Sequence, residues 1–405
     1  MGRRPAMLRS AALVLCLALA TGCDHEGELL AEHLRLGDQA LAEGRYPQAL
    51  SAYGHAHELA PTSARVQRAQ MWARVYLMAD DPARVSPDSF EDIAYEAELL
   101  RKSAQGDKAR EAVCLAAIGN VLARRGDREG AKAKMEEATR IEPTSAIAHA
   151  ALGALLLERR ETAEAARSTF EKALQLDAAS VRALVGLGQL QLAAGDHAGA
   201  AQRFEAALQR RPDFAACVGL GNARLQQGKH AEAVDAFQRA VGLDPKSVDA
   251  LGSLGQALLG AGRLEEAERA LRAATAIRRD EGTAIALGYA LARLKKSDEA
   301  LAVFGQVLSF NPSAAPALYG VAVASEDLGR VDQALEYHRR VLALPAGGPQ
   351  QQLVAELQKE SRGRVAALAP PEPPPSASAS ASAAPAASAG PTGAAPPPPA
   401  PRPPR

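Results

Sequence analysis

The stretch "GDHAGAAQRFEAALQRRP" occupies Gly195 to Pro212, and "GKHAEAVDAFQRAVGLDP" occupies Gly228 to Pro245. The two have the same length and the same plan. Each opens on Gly, places Ala at the sixth residue, Phe at the tenth and Ala at the thirteenth, and closes on Pro. Apolar residues recur at helical spacing between these marks, so each stretch reads as one amphipathic helix with a start and a stop. Related stretches cover Gly44–Pro61, Gly126–Pro143, Lys295–Pro312 and Gly329–Ala346. An apolar helical pattern precedes each. In most of them another Gly stands seven residues before the opening Gly, as in Gly37, Gly119, Gly188, Gly221 and Gly255.

A chain that repeats one sentence at a period close to 34 residues is building one supersecondary unit several times. These residues resemble the tetratricopeptide repeat, a helix-turn-helix unit. The resemblance runs along roughly four-fifths of the chain and implies an all-α solenoid whose first helices line a concave groove. The turn glycines Gly195 and Gly228 suit the left-handed conformation that ends a helix. Ala200 and Ala233 permit close helix approach, Phe204 and Phe237 fill the seam between neighbours, and Pro212 and Pro245 stop the second helix. Some units depart from this plan. The unit at 146–180 has Arg160 at its turn, Ala178 in place of Pro and an extra residue near Thr162. Leu271 and His338 replace the seam aromatic. Between Ala64 and Lys108 the pattern nearly dissolves, leaving two helices expected around Arg65–Met78 and Asp88–Ser103, joined by a turn from Ala79 to Pro87. Trp72, the single tryptophan, reads as core packing.

Composition agrees with this plan. Ala and Leu carry most of a 47% hydrophobic fraction and aromatics are 4%, a balance that favours helix. Lys plus Arg and Asp plus Glu stand at 47 each. A chain with no surplus of cations is not built to displace counterions from nucleic acid. Cys114 and Cys217 lie about a hundred residues apart inside expected helices and read as small buried hydrophobes rather than a disulfide framework.

The ends fall outside the repeat. Arg3, Arg4 and Arg9 precede an apolar run from Ala11 to Ala20, too short for a bilayer span and suited to the core of a secretory signal. The "ATGC" at Ala20–Cys23 resembles the lipobox of bacterial lipoproteins, with Ala20 where that family most often has Leu. The resemblance implies cleavage before Cys23, lipid (palmitate among it) on Cys23, and an anchored, periplasm-facing protein of the cell envelope. By the rules of enteric bacteria, Asp24 would imply retention in the inner membrane; other lineages sort differently. Pro349–Leu368 reads as a polar-faced capping helix. Pro370–Arg405 is Pro, Ala and Ser with no periodic apolar face, and so reads as a disordered tail.

The expected organisation is a signal peptide at 1–22, an anchored linker at 23–29, a first repeat at 30–63 and an irregular helix pair at 64–111. A repeat array at 112–348, a cap at 349–368 and a tail at 369–405 complete it. No catalytic residue, metal site or cofactor is expected. The eight histidines form no H-E-x-x-H arrangement, and no phosphate-binding glycine loop follows a strand. A binding role remains, toward a protein or peptide partner. The residue after each first-helix Gly is Asp38, Asn120, Ala154, Gln189, Asn222, Gln256 and Tyr289 in turn. Amides at one-repeat spacing suit the backbone of an extended peptide, so Asn120, Gln189, Asn222, Gln256 and Tyr289 are the expected groove residues. Some family members clamp a carboxylate with Lys four residues earlier. Ala116, Val185, Val218 and Gly252 stand there, so that clamp is not expected. The resulting expectation is a membrane-anchored interaction scaffold, as in lipoproteins of this class that help assemble pili or secretion machines. An adaptor of envelope polysaccharide synthesis and a chaperone-like client holder are its alternatives.

Overall fold

In a computed structural model of the protein, residues 25–104, 106–345 and 350–368 are described. The expected signal peptide, Cys23 and the Pro-rich tail lie outside the described residues. No strand occurs among the described residues.

Among the described residues nine helix pairs follow one another, closed by a single helix. The first helices of the pairs are α1 (25–42), α3 (Ala64–Asp80), α5 (Lys108–Arg124), α7 (Ala146–Leu157), α9 (Val181–Ala193), α11 (Phe214–Gln226), α13 (Val248–Gly260), α15 (Glu281–Arg293) and α17 (Ala315–Asp327). Their partners are α2 (Tyr46–Leu59), α4 (Phe90–Ser103), α6 (Arg128–Ile141), α8 (Ala163–Leu176), α10 (His197–Arg210), α12 (His230–Leu243), α14 (Leu264–Ile277), α16 (Ser297–Phe310) and α18 (Val331–Leu342). The last helix, α19, spans Gln351–Leu368. Helix α1 already runs at residue 25, so residues 25–29 belong to the first helix and not to a linker. Likewise α5 starts at Lys108, ahead of the expected array boundary at 112.

Sequence sets the ends of these helices. Asp107, Asp127, Asp196, Asp213 and Asp280 accept a hydrogen bond from the backbone N–H three residues on, satisfying donors the first turn leaves free. Gly44, Gly126, Gly195, Gly228, Gly262 and Gly329 take positive φ at the turn inside a pair. At the equivalent turn of the eighth pair stands Lys295, with φ 61°. A side chain with a Cβ is strained there. Where Arg160 replaces the turn glycine, the extra residue is absorbed in a 3-10 turn, Arg160–Thr162.

One contact recurs along the array. Phe204 of α10, fully buried, lies between Gly188 of its own α9 and Gly219 of the following α11. A Cβ on Gly188 would stand 2.8 Å from Phe204 Cε1, and one on Gly219 would come closer still. Phe170 sits likewise between Gly153 and Gly186, and Phe304 between Gly288 and Gly320. The wedge works because the glycines remove side chains where three helices meet. Successive first helices therefore pack directly, α5 on α7, α7 on α9, α9 on α11, and again from α13 to α17. No successive second helices pack comparably among the described residues. The first helices thus form the inner wall of a curve and the second helices its outside.

The wedge predicts a graded response. Phe204→Ala should cost about 3–5 kcal/mol, while Phe204→Leu should cost markedly less, because Leu271 fills the same place against Gly255. Urea denaturation of the two variants measures the difference. Lys295→Gly should stabilise by about 1 kcal/mol by relieving the left-handed Lys. The exposed Lys295–Asp327 pair at 2.9 Å that it removes is worth little. Denaturant midpoints measured on the same chain check this gain.

Candidate functional site: the inner wall

The inner wall divides into two parts. Along α9 to α13 the positions after the helix glycines are open: Gln189 and Gln256 are exposed and Asn222 is half-buried. None of these three side chains makes a hydrogen bond among the described residues. The half-buried Val218, Leu225 and Leu259 accompany them. Ala154 on α7 is half-buried and Asp38 on α1 is exposed, its Oδ1 accepting from Tyr53 Oη at 2.7 Å. Tyr289 on α15 is half-buried. Its hydroxyl donates to the Pro316 carbonyl at 2.8 Å and its ring meets Phe304 edge-on, so it ties α15 to α17 as part of the wall.

Asn120 differs from the other amides. It is only 4% exposed, because the inner wall at α5 and α7 is covered by the chain itself. The irregular pair supplies the cover. Helix α3 runs two residues beyond the expected Met78, to Asp80, and packs along α5 and α7. Trp72, Val75, Met78 and Ala79 are buried against Val113, Ala116 and Ala117. Trp72 is core, as expected, with the Arg110 guanidinium 5.3 Å from its ring centre.

The end of α3 is read polar group by polar group. Asn120 Nδ2 donates to the carbonyls of Met78 at 2.8 Å and Ala79 at 3.1 Å. Arg182, on α9, donates through Nη1 to the Ala79 carbonyl at 2.7 Å and through Nη2 to Asn120 Oδ1 at 3.0 Å. These are last-turn carbonyls with no partner inside the helix, and they carry the negative end of its dipole. Arg211, at the α10–α11 connection, donates to Asp80 Oδ2 at 2.9 Å and lies 3.3 Å from Asp81 Oδ2. Arg84 reaches Asp81 Oδ2 at 2.9 Å and also bonds the Pro212 carbonyl.

The charges here are held at some cost. Burial raises the Asp81 carboxyl above its ordinary value, although Arg211 and Arg84 act the other way. Burial opposes the Arg211 charge, but Asp80 and Asp81 outweigh it and its pKa is raised. Arg182 keeps part of its surface exposed, yet the protein packed around its guanidinium lowers its pKa to about 10, leaving it charged at neutral pH. Sequence reading missed Arg182 and Arg211 as site residues. Their partners lie about a hundred residues away in the one segment without repeat pattern.

Beside this contact is a cavity of about 1140 Å³. It lies between the α1–α2 turn, the end of α3, the starts of α7 and α9 and the α10–α11 connection. Arg45, Arg84, Arg110, Arg210 and Arg211 line it together with Asp38, Glu43, Asp80 and Asp177. Arg210 has no ion pair or side-chain hydrogen bond among the described residues. A second hollow, about 530 Å³, lies among α14, α15 and α16 and is bordered by the exposed Phe310. Among the described residues no cluster of metal-ligating side chains occurs and no helix is long and apolar enough to cross a membrane. Cys114 and Cys217 are buried, unpaired thiols, and burial raises both.

Tetratricopeptide-repeat family models match residues 116–181, 165–215, 185–248 and 285–349, and a second such model matches 224–294. Together they cover 116–349 without a break, and the chain belongs to the tetratricopeptide-repeat family. No curated protein matches it. Among solved structures it is similar to YrrB, described as a TPR protein with an unusual peptide-binding site. That match has 24% identity, 45% of this chain, 95% of that one and a TM-score of 0.42. It is also similar to pilF of Pseudomonas aeruginosa, at 21% identity, 54% and 96% coverage and a TM-score of 0.46. The Cut9 and Hcn1 hetero-tetramer of APC/C matches at 15% identity, 80% and 74% coverage and a TM-score of 0.48. The family makes this chain a protein-interaction scaffold, and proteins of this repeat class are generally not catalysts.

Removing Arg211 tests the charge balance. Arg211→Met should destabilise by about 3 kcal/mol at neutral pH, because Asp80 and Asp81 are left nearly buried without their main cation. A carboxyl with a raised folded-state pKa destabilises only when ionised, so the deficit should shrink as pH falls through that pKa. Denaturation of both proteins at neutral and acidic pH checks the sign.

Proposed function

We propose that this protein holds a partner polypeptide in extended form along α9 to α13 while its N-terminus anchors it in a bacterial envelope membrane. One observation carries the reading. Gln189, Asn222 and Gln256 stand on the inner wall at one-repeat spacing, their amides without a protein partner among the described residues, in the same series as Asn120. That residue already grips two backbone carbonyls of the chain itself. An amide can donate to a carbonyl and accept from an N–H of the same strand, so a row of them reads backbone rather than a particular side chain. Apolar residues between the amides add burial without demanding a defined partner sequence.

The address rests on residues 1–23: the cationic start, the short apolar run and the lipobox-like Ala20–Cys23. Acyl groups on Cys23 would contribute about 0.8 kcal/mol per buried CH₂, enough for stable anchoring with more than one chain. An anchored scaffold facing the periplasm suits the assembly of an envelope complex such as a pilus or secretion apparatus.

Photo-crosslinking in the native host tests the groove. A photoreactive residue at Gln189 or Gln256 should give a discrete partner adduct, and one at the exposed outer position Arg239 on α12 should not. Adducts from Arg239 alone, or equally from all three, would count against the groove. Metabolic palmitate labelling tests the anchor: wild type should take up label and Cys23→Ala should lose it, and equal labelling removes the lipid from the proposal.

A further inference from the structure

The end of α3 does more than complete a core. Its backbone carbonyls are held by Asn120 and Arg182, and its two carboxylates by Arg211 and Arg84. All four contacts lie on, or at the edge of, the inner wall where a partner is to be held. The seated segment is part of the covalent chain; Asn120, Arg182 and Arg211 reach it from other units, while Arg84 stands three residues after Asp81 in the segment's own connection. Those three groups read its chemistry as a binding site reads a ligand: buried carbonyls that the helix end leaves without a backbone partner, followed at once by consecutive carboxylates. The adjoining cavity, about 1140 Å³, is large enough for several residues of an incoming chain. It presents Arg210 without a counter-ion among the described residues.

We infer that Leu77–Asp81 is a built-in occupant of an acid-reading station, and that the partner docks there through a short acidic peptide that displaces it. This rests on the groove reading above and adds the partner's chemistry: consecutive Asp or Glu residues following a stretch with free carbonyls. Arg182 and Asn120 take the carbonyls, Arg211 and Arg210 take the carboxylates, and the remaining chain runs on toward Gln189. The internal segment is suited to leave. Burial raises the Asp81 carboxyl against the pull of its two arginines, and its neighbour Asp80 borders the cavity. While the segment is seated it competes with the partner, so the apparent affinity is reduced by the fraction of protein in which the station is closed.

The probe is the segment's own sequence, a fluorescein-labelled peptide of Leu77–Pro82, beside a control peptide in which both aspartates are asparagine. Fluorescence anisotropy against the full chain should show the acidic peptide binding and the neutral one binding much more weakly. Salt should weaken the acidic complex. The variant Asp80→Asn/Asp81→Asn, which weakens the internal competitor, should bind the acidic peptide roughly tenfold more tightly. Adding Arg211→Gln should abolish that binding. Hydrogen exchange of wild type, which needs no variant to fold, should show the amides of Leu77–Arg84 losing protection when the acidic peptide is saturating. Equal binding of both peptides, indifferent to Arg211, overturns the acid reading and leaves the groove standing. Failure of the acidic peptide to bind, or unchanged protection at saturation, overturns it as well, and crosslinks from Gln189 and Gln256 then decide the groove independently.

Discussion

The architecture depends on one steric arrangement: an apolar side chain of a second helix driven between two first helices whose facing residues are glycine. Phe170, Phe204 and Phe304 show it in full. Without those glycines the ring could not enter, the first helices would stand apart, and the difference in spacing between inner and outer layers would vanish. Curvature follows from that difference. So does the groove, because the face of each first helix turned away from its wedge is left for the inner wall. The arrangement tolerates changes of wedge. Tyr53, Met135 and Leu271 occupy the same place against Gly37, Gly119 and Gly255. In the last pair the wedge is His338, fully buried, bonded to Glu326 at 2.7 Å and to Ser361 of α19 at 3.1 Å. A polar wedge requires partners, and the closing helix supplies one. Gln358 of α19 also donates to the Leu344 carbonyl at 2.9 Å. The cap therefore ends the stack by satisfying polar groups as well as by covering apolar ones.

The irregular pair breaks the regularity at one place, with consequences at a distance. A standard first helix would stop about a turn earlier and leave Asn120 facing the groove. Extending α3 to Asp80 carries its end across the inner wall of α5 and α7 to meet Arg182 and Arg211. The solenoid is thereby tied between its second pair and the connection after its fifth. A linear array in which each unit touches only its neighbours acquires a long-range contact, and with it a coupling that ordinary repeat proteins lack. Anything that loosens Arg211 from Asp80 frees both the inner wall and that tie.

The repeats, their turns, the wedge residues and the cap were legible in sequence because each unit carries the same marks and each mark has a local cause. Gly195 ends a helix by its own backbone, and Pro212 stops one by its missing N–H. The two cysteines and Trp72 were read as core from their place on helices, and they are buried. The amide series was legible as a series, but not which of its members the chain would occupy itself. That depends on how far α3 extends, and residues 64–108 have no periodic pattern from which to read it. Ala79 and Asp80 looked like the start of a turn because Asp-Asp-Pro ordinarily ends a helix. The carbonyl contacts from Asn120 and Arg182 and the ion pairs from Arg211 hold them in the helix's last turn. Nothing near Arg182 and Arg211 in sequence hints at a carboxylate or carbonyl partner.

Equal numbers of cations and anions exclude a polyanion-wide field, but they are silent about short-range recognition, which is decided by where charges lie. Five arginines and four carboxylates line the cavity at the end of α3, and Asp80 of the seated segment is one of those carboxylates. Arginine suits this place in a way lysine would not. Its planar fork lets Arg182 serve a carbonyl and an amide oxygen at once and lets Arg211 face two carboxylates together. If those aspartates leave, the same forks remain, preorganised by Asn120 and by the helix starts that carry them, and the charge they then lack is what an acidic chain would supply. Neutrality of the whole molecule is thus compatible with an arginine-lined station, provided the chain itself fills that station until a partner arrives.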